Sequence, residues 1–132
     1  MDGLRRALYS QALVWALVGA ALAALPKFLL VTVFDQTPYA DYAFVRVAGL
    51  QAVGLAMLMV LVAHRAEDLW WWSWAFVVPT VTVAAVALLN AGFGLDEGSS
   101  ALFWWVFGGV TAAFSAWLLL VLYRVAGRTP LP

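Results

Sequence analysis

The sequence predicts an all-α polytopic membrane protein, a four-transmembrane-helix up-down bundle. Three observations carry that expectation. Of 132 residues, 66% are hydrophobic and only 11% are charged, too little polar surface to wrap a water-soluble core of this size. The apolar residues fall into runs of about 20, the length that crosses a hydrocarbon layer of roughly 30 Å. Tryptophans cluster where two of the runs begin, at Trp70, Trp71, Trp72 and Trp74 and again at Trp104 and Trp105. Indoles favour the headgroup level, so the two clusters mark opposite membrane surfaces. Four spans and their connections use residues 1–132 as a single transmembrane domain.

The first span runs from about residue 8 to 25. Arg5 and Arg6, the apolar run behind them and Ala21-Leu22-Ala23 resemble a secretory signal with its cleavage site; the segment is read as a retained helix. Ala12, Ala16, Ala20 and Ala24 recur every four residues, with Gly19 and Ala23 beside them. Strips of small residues let helix backbones approach closely in lipid. Pro26 and Lys27 then interrupt the helix, because proline removes a backbone donor and lysine seeks the interface. The apolar stretch at 27–34 is too short to cross and is expected to be a kinked extension or an interfacial segment. Asp35-Gln36-Thr37-Pro38 is a turn.

The second span covers about 42–63, with a further ladder of Ala48, Ala52 and Ala56 and glycines at 49 and 54. A polar connection at His64 to Asp68 leads to the third span, about 72–91. Pro79 inside it deprives the Ala75 carbonyl of its usual donor, a fault that Thr80 or Thr82 is placed to relieve. A loop bearing Asp96 and Glu97 precedes the fourth span, about 101–123, in which Gly108, Ala112 and Ala116 form another ladder. Arg5, Arg6, Arg65, Arg124 and Arg128 fall on one side of this arrangement and only Lys27 and Arg46 on the other. The cytoplasmic side carries the excess of Lys and Arg, so both termini are expected there.

Composition excludes several functions. There is no cysteine and the net charge is zero. Thiol redox chemistry and cysteine-ligated metals are therefore ruled out, and no basic stripe offers a nucleic-acid surface. No catalytic triad, carboxylate pair within a span, metal-ligand cluster or phosphate loop is visible. No catalytic residue, metal or cofactor is assigned, and a non-enzymatic role is expected. The lone histidine, His64, falls in a charged connection and reads as a surface residue.

Arg46 is the most informative residue, since a charge inside a span is costly and by default functional. It lies about one turn from the outer surface, so two readings stand. In one, Arg46 pairs with Asp35, Asp41, Asp96 or Glu97 and fixes the outer rim. In the other, its planar fork recognises a carboxylate or phosphate ligand. Gln51 and Asn90 are amides suited to interhelical hydrogen bonds. Should Asn90 meet Arg46 or Gln51, the outer half would hold a polar pocket with Tyr39, Tyr42 or Thr111 nearby.

Pro26 after the first span, the stretch Phe44-Val45-Arg46-Val47-Ala48-Gly49 opening the second and Gly54 within it resemble the layout of DoxX-like small bacterial membrane proteins. The resemblance covers the first half of the chain best. It implies a four-helix protein of the bacterial cytoplasmic (inner) membrane and transfers no activity. Two functions follow as expectations: an accessory or scaffold subunit that associates with other membrane helices, as a homo-oligomer or in a larger membrane complex, and a small-molecule or lipid binder or minor transporter built around Arg46.

Overall fold

Each apolar run is helical in the computed structural model, which describes residues 1–94, 98 and 100–129. Helix α1 is Asp2–Ala24, α2 is Ala43–His64, α3 is the single turn Ala66–Leu69, α4 is Trp74–Phe93 and α5 is Leu102–Ala126. A π-helical segment, Phe28–Val33, follows α1, and a 3-10 turn, Trp70–Ser73, joins α3 to α4. Among the described residues, four helical stretches are long and apolar enough to cross a membrane: Asp2–Ala24, Ala43–His64, Ala66–Phe93 and Leu102–Ala126.

The topology is up and down. At one end, here the terminal end, Leu4 and Leu8 of α1, Met59 and Ala63 of α2, and Leu118 and Leu122 of α5 form a common core with Trp70 and Phe76. At the other, distal end, Leu30, Val45 and Phe103 form a smaller one. Helix α1 packs on α2, α4 packs on α5, and the two hairpins meet mainly through α1 and α5.

Helix α1 starts six residues earlier than the apolar run suggests, at Asp2 rather than residue 8. Leu4, Ala7 and Leu8 are buried, so the first turns are core. Arg5 ties this end down, donating from Nε to Ala63 O at 3.3 Å and forming an ion pair with Glu67.

The small residues do bring helices together, but along different lines from the four-residue ladders. A Cβ on Gly19 would lie 2.5 Å from Gly49 O, and one on Gly49 would lie 2.5 Å from Gly19 O; α1 and α2 therefore touch backbone to backbone. At Gly108 a Cβ would lie 2.8 Å from Leu88 Cδ2, which fixes the α4–α5 crossing. A row stepping by four drifts around a helix by about 40° each time. Hence Ala20, Ala24, Ala48 and Ala116 end up exposed. The buried rows alternate steps of four and three, as in Val45, Gly49, Ala56, Met59 and Ala63 of α2 and Gly108, Thr111, Ser115, Leu118 and Leu122 of α5. That spacing is the seam of left-handed helix pairs.

The tryptophan run is not uniform. A 3-10 turn repeats every three residues, so Trp70 and Ser73 are both buried while Trp71 and Trp72 are exposed. Trp70 is thus a core residue, and Trp71, Trp72 and Trp74 are the ones available to a surface belt. Near Pro79, Thr80 donates its hydroxyl to Phe76 O at 2.6 Å, one residue on from the carbonyl that proline orphans.

Candidate ligand cavity and distal rim

The distal end is organised by the chain between α1 and α2. Pro26 stops the α1 ladder, and the π-helical segment that follows closes with Phe34 N donating to Leu29 O at 3.2 Å and Gln36 N to Leu30 O at 2.9 Å. Asp35 takes a positive φ of 50°, a conformation that aspartate tolerates better than most residues. The resulting fold-back aims Gln36 at α5. Its amide nitrogen donates to Ser100 O, and its Oε1 accepts from Trp104 Nε1 at 3.1 Å. Phe34 meets the Phe103 ring edge-on with centroids 5.1 Å apart. The segment therefore spans from the α1–α2 hairpin to the start of α5 and roofs the space between them.

Under that roof lies a cavity of about 660 Å³ between α1, α2 and α5. Trp15 and Leu22, Val45 and Ala52, and Phe107 and Phe114 form its walls, with Val83 reaching in from α4. Its hydrogen-bonding groups are Trp15, Gln36, Tyr39, Trp104 and Thr111, and no charged side chain lines it among the described residues. Thr111 spends its hydroxyl on its own helix, donating to Phe107 O at 2.7 Å. Gln36, Tyr39 and Trp104 come from the distal end, so the cavity is apolar along its depth with a polar mouthpiece at its roof.

Asn90 belongs to that roof. With its carboxamide oriented to suit its neighbours, the nitrogen donates to Gly94 O at 3.2 Å and the oxygen accepts from Trp104 Nε1 at 3.3 Å. The indole N–H is thus shared between Gln36 and Asn90. Asn90 meets neither Arg46 nor Gln51; the polar side chains gathered with it are Gln36 and Trp104. Gln51 is exposed and makes no hydrogen bond among the described residues, because it lies off the buried seam of α2.

Arg46 forms no ion pair with Asp35 or Asp41. Its Nη1 donates to Ala23 O at 2.8 Å and Ala24 O at 3.5 Å. The guanidinium caps the end of α1 where Pro26 breaks the ladder, a favourable place for a cation against the negative end of a helix. Asp41 uses Oδ1 to accept from Ala43 N at 2.9 Å and so caps α2, while Asp35 serves the turn. The ion pairs among the described residues join Arg5 to Asp2 and Glu67, and Arg65 to Asp68; Asp96 and Glu97 lie outside those residues. Tyr42, half-buried, accepts from Tyr39 N through its hydroxyl at 3.2 Å.

One interior polar contact escaped the sequence reading. Gln11 of α1 is 0% exposed and donates from Nε2 to Thr80 Oγ1 of α4 at 2.8 Å, while its Oε1 has no partner. Its sequence signal is a lone amide in the first apolar run.

No protein-family model, curated protein or solved structure matches the chain.

Proposed function

We propose that this chain is a non-catalytic membrane protein that binds a lipid-class small molecule in the cavity between α1, α2 and α5. The supporting observation is the cavity itself: about 660 Å³, within the range of about 300–1,000 Å³ typical of ligand pockets. Lipid tails are as apolar as leucine, so an apolar wall alone gives a ligand little reason to leave the bilayer. Selectivity must come from shape and from the few hydrogen-bonding groups. The fitting ligand has an apolar body and a small polar head that meets the Tyr39 hydroxyl at the roof, beside Gln36 and Trp104, which hold one another.

A photoactivatable fatty acid bearing a diazirine in its chain tests this reading on the purified full chain. Adducts are expected on cavity-wall peptides containing Trp15 and Phe114. Ala48→Trp, which fills the cavity from α2, should cut their yield several-fold. Adducts spread evenly over outward residues such as Leu50 and Leu61, or an unchanged yield in the variant, would overturn it.

The alternative of an accessory subunit for other membrane helices ranks second. Its motive was the small residues, and Gly19, Gly49 and Gly108 are already occupied by contacts within the chain. Copurification of a stoichiometric partner from mild detergent would reverse the ranking. The distribution of arginines and the DoxX-like layout support a bacterial inner-membrane location with both termini cytoplasmic.

A further inference from the structure

On the side of α1 and α2 away from that cavity, the distal rim carries a second concavity of about 530 Å³. Lys27 and Arg46 line it together with the hydroxyls of Thr32 and Tyr42, and Leu25 and Phe28 continue its wall. We propose that this groove binds the phosphodiester headgroup of an anionic phospholipid, with Leu25 and Phe28 against the start of its acyl chains.

Three features support the assignment. First, both cations lack a carboxylate partner among the described residues, whereas Arg5 and Arg65 at the terminal end have theirs. Second, Arg46 is held in place: Nη1 is committed to Ala23 O at 2.8 Å, and none of its other donors is engaged among the described residues. A fixed fork loses less freedom on meeting a phosphate than a free side chain does. Third, the groove is mixed in character. Its cations and hydroxyls share a lining with Leu25 and Phe28, which are exposed apolar side chains. A molecule with a charged head and apolar chains matches that mixture; a free phosphate ion would use only half of it.

Native mass spectrometry of the full chain, released from detergent doped equally with phosphatidylglycerol and phosphatidylcholine, tests the proposal. The wild type should retain one phosphatidylglycerol in clear preference. Lys27→Gln, which breaks no hydrogen bond in the structure, should lower that preference about fivefold, the share of one surface cation near an anionic headgroup. Lys27→Glu should abolish it with the thermal midpoint unchanged. Arg46→Gln removes a helix cap as well as a charge, so Lys27 carries the test and Arg46→Lys, which keeps the charge but loses the fixed fork, should retain only part of the preference. Equal retention of the two lipids by the wild type, an unchanged preference in Lys27→Glu, or displacement of phosphatidylglycerol by millimolar inorganic phosphate would each overturn a lipid-headgroup site. The cavity adducts described above report on a different wall, so the two proposals fail independently.

Discussion

At the terminal end of the bundle, Leu4, Leu8, Met59, Leu118 and Leu122 are each 0% exposed and mesh in one core. At the distal end, the same α1 and α5 stand apart around about 660 Å³ of space. The two ends share helices and composition, so the difference lies in what fills the seam. Large apolar side chains from three helices meet at the terminal end. Toward the distal end, α1 and α2 turn to glycine and close on one another at Gly19 and Gly49. That close approach draws α2 into α1 and away from the opposite hairpin. Dense packing at one end holds the helices together while the other end stays hollow.

The largest expected effect comes from breaking the close approach. Gly49→Leu sets a side chain on a Cβ position 2.5 Å from Gly19 O, a backbone atom that moves only with its helix. The α1–α2 hairpin must open, at a cost of about 3 kcal/mol. Gly109→Leu is the control, because nothing lies within 4 Å of its Cβ position. Thermal unfolding of the two variants in one detergent should separate them widely. Equal midpoints would remove the glycine contact from the explanation.

A pair of truncations compares the two ends directly. Leu118→Ala deletes atoms that touch neighbours on all sides. In a bilayer the transfer part of such a loss is small, since lipid is as apolar as leucine, and the lost contacts dominate. About 2 kcal/mol is expected, the lower end of the range for buried leucines. Val110→Ala acts on a residue that lines the cavity and is 41% exposed; it forfeits few contacts and should cost under about 0.5 kcal/mol. Equal costs in reversible unfolding would mean that the distal space is filled in the folded protein.

How far this contrast was legible depends on its scale. Helix type and order follow from apolar runs and from Pro26, Pro38 and the polar connections, which act over a few residues. The glycines at 19, 49 and 108 were visible too, but a fixed step of four chose their neighbours wrongly, because the seam alternates fours and threes. Arg46 stands out in the sequence as a charge inside an apolar run. Its hydrogen-bond partners are backbone carbonyls in the last turn of α1, a consequence of helix ending that carboxylate counting overlooks. The cavity had no local signal. It arises from how two hairpins diverge, and its polar roof joins Gln36 to Trp104 across 68 residues of sequence.

The smallest expected effect concerns the boundary between the filled and hollow halves. Gln11 sits there, one turn before Val14 and Trp15, which line the cavity. It links α1 to Thr80 of α4 at 2.8 Å, yet leaves Oε1 unpartnered in the interior. Gln11→Leu removes that orphan together with the bond, and Thr80 keeps its donation to Phe76 O. Gain and loss nearly cancel, so stability should change by under about 0.5 kcal/mol. Thr80→Val takes the other partner instead. It strands the Gln11 amide N–H without an acceptor and should cost about 1 kcal/mol. The double variant should then sit close to Gln11→Leu alone, because a stranded amide that has been removed can no longer be penalised. If Gln11→Leu proves as costly as Thr80→Val, the two hairpins are held by this polar tie rather than by the leucine core beneath it. The dense terminal end would then not suffice to keep the distal end open.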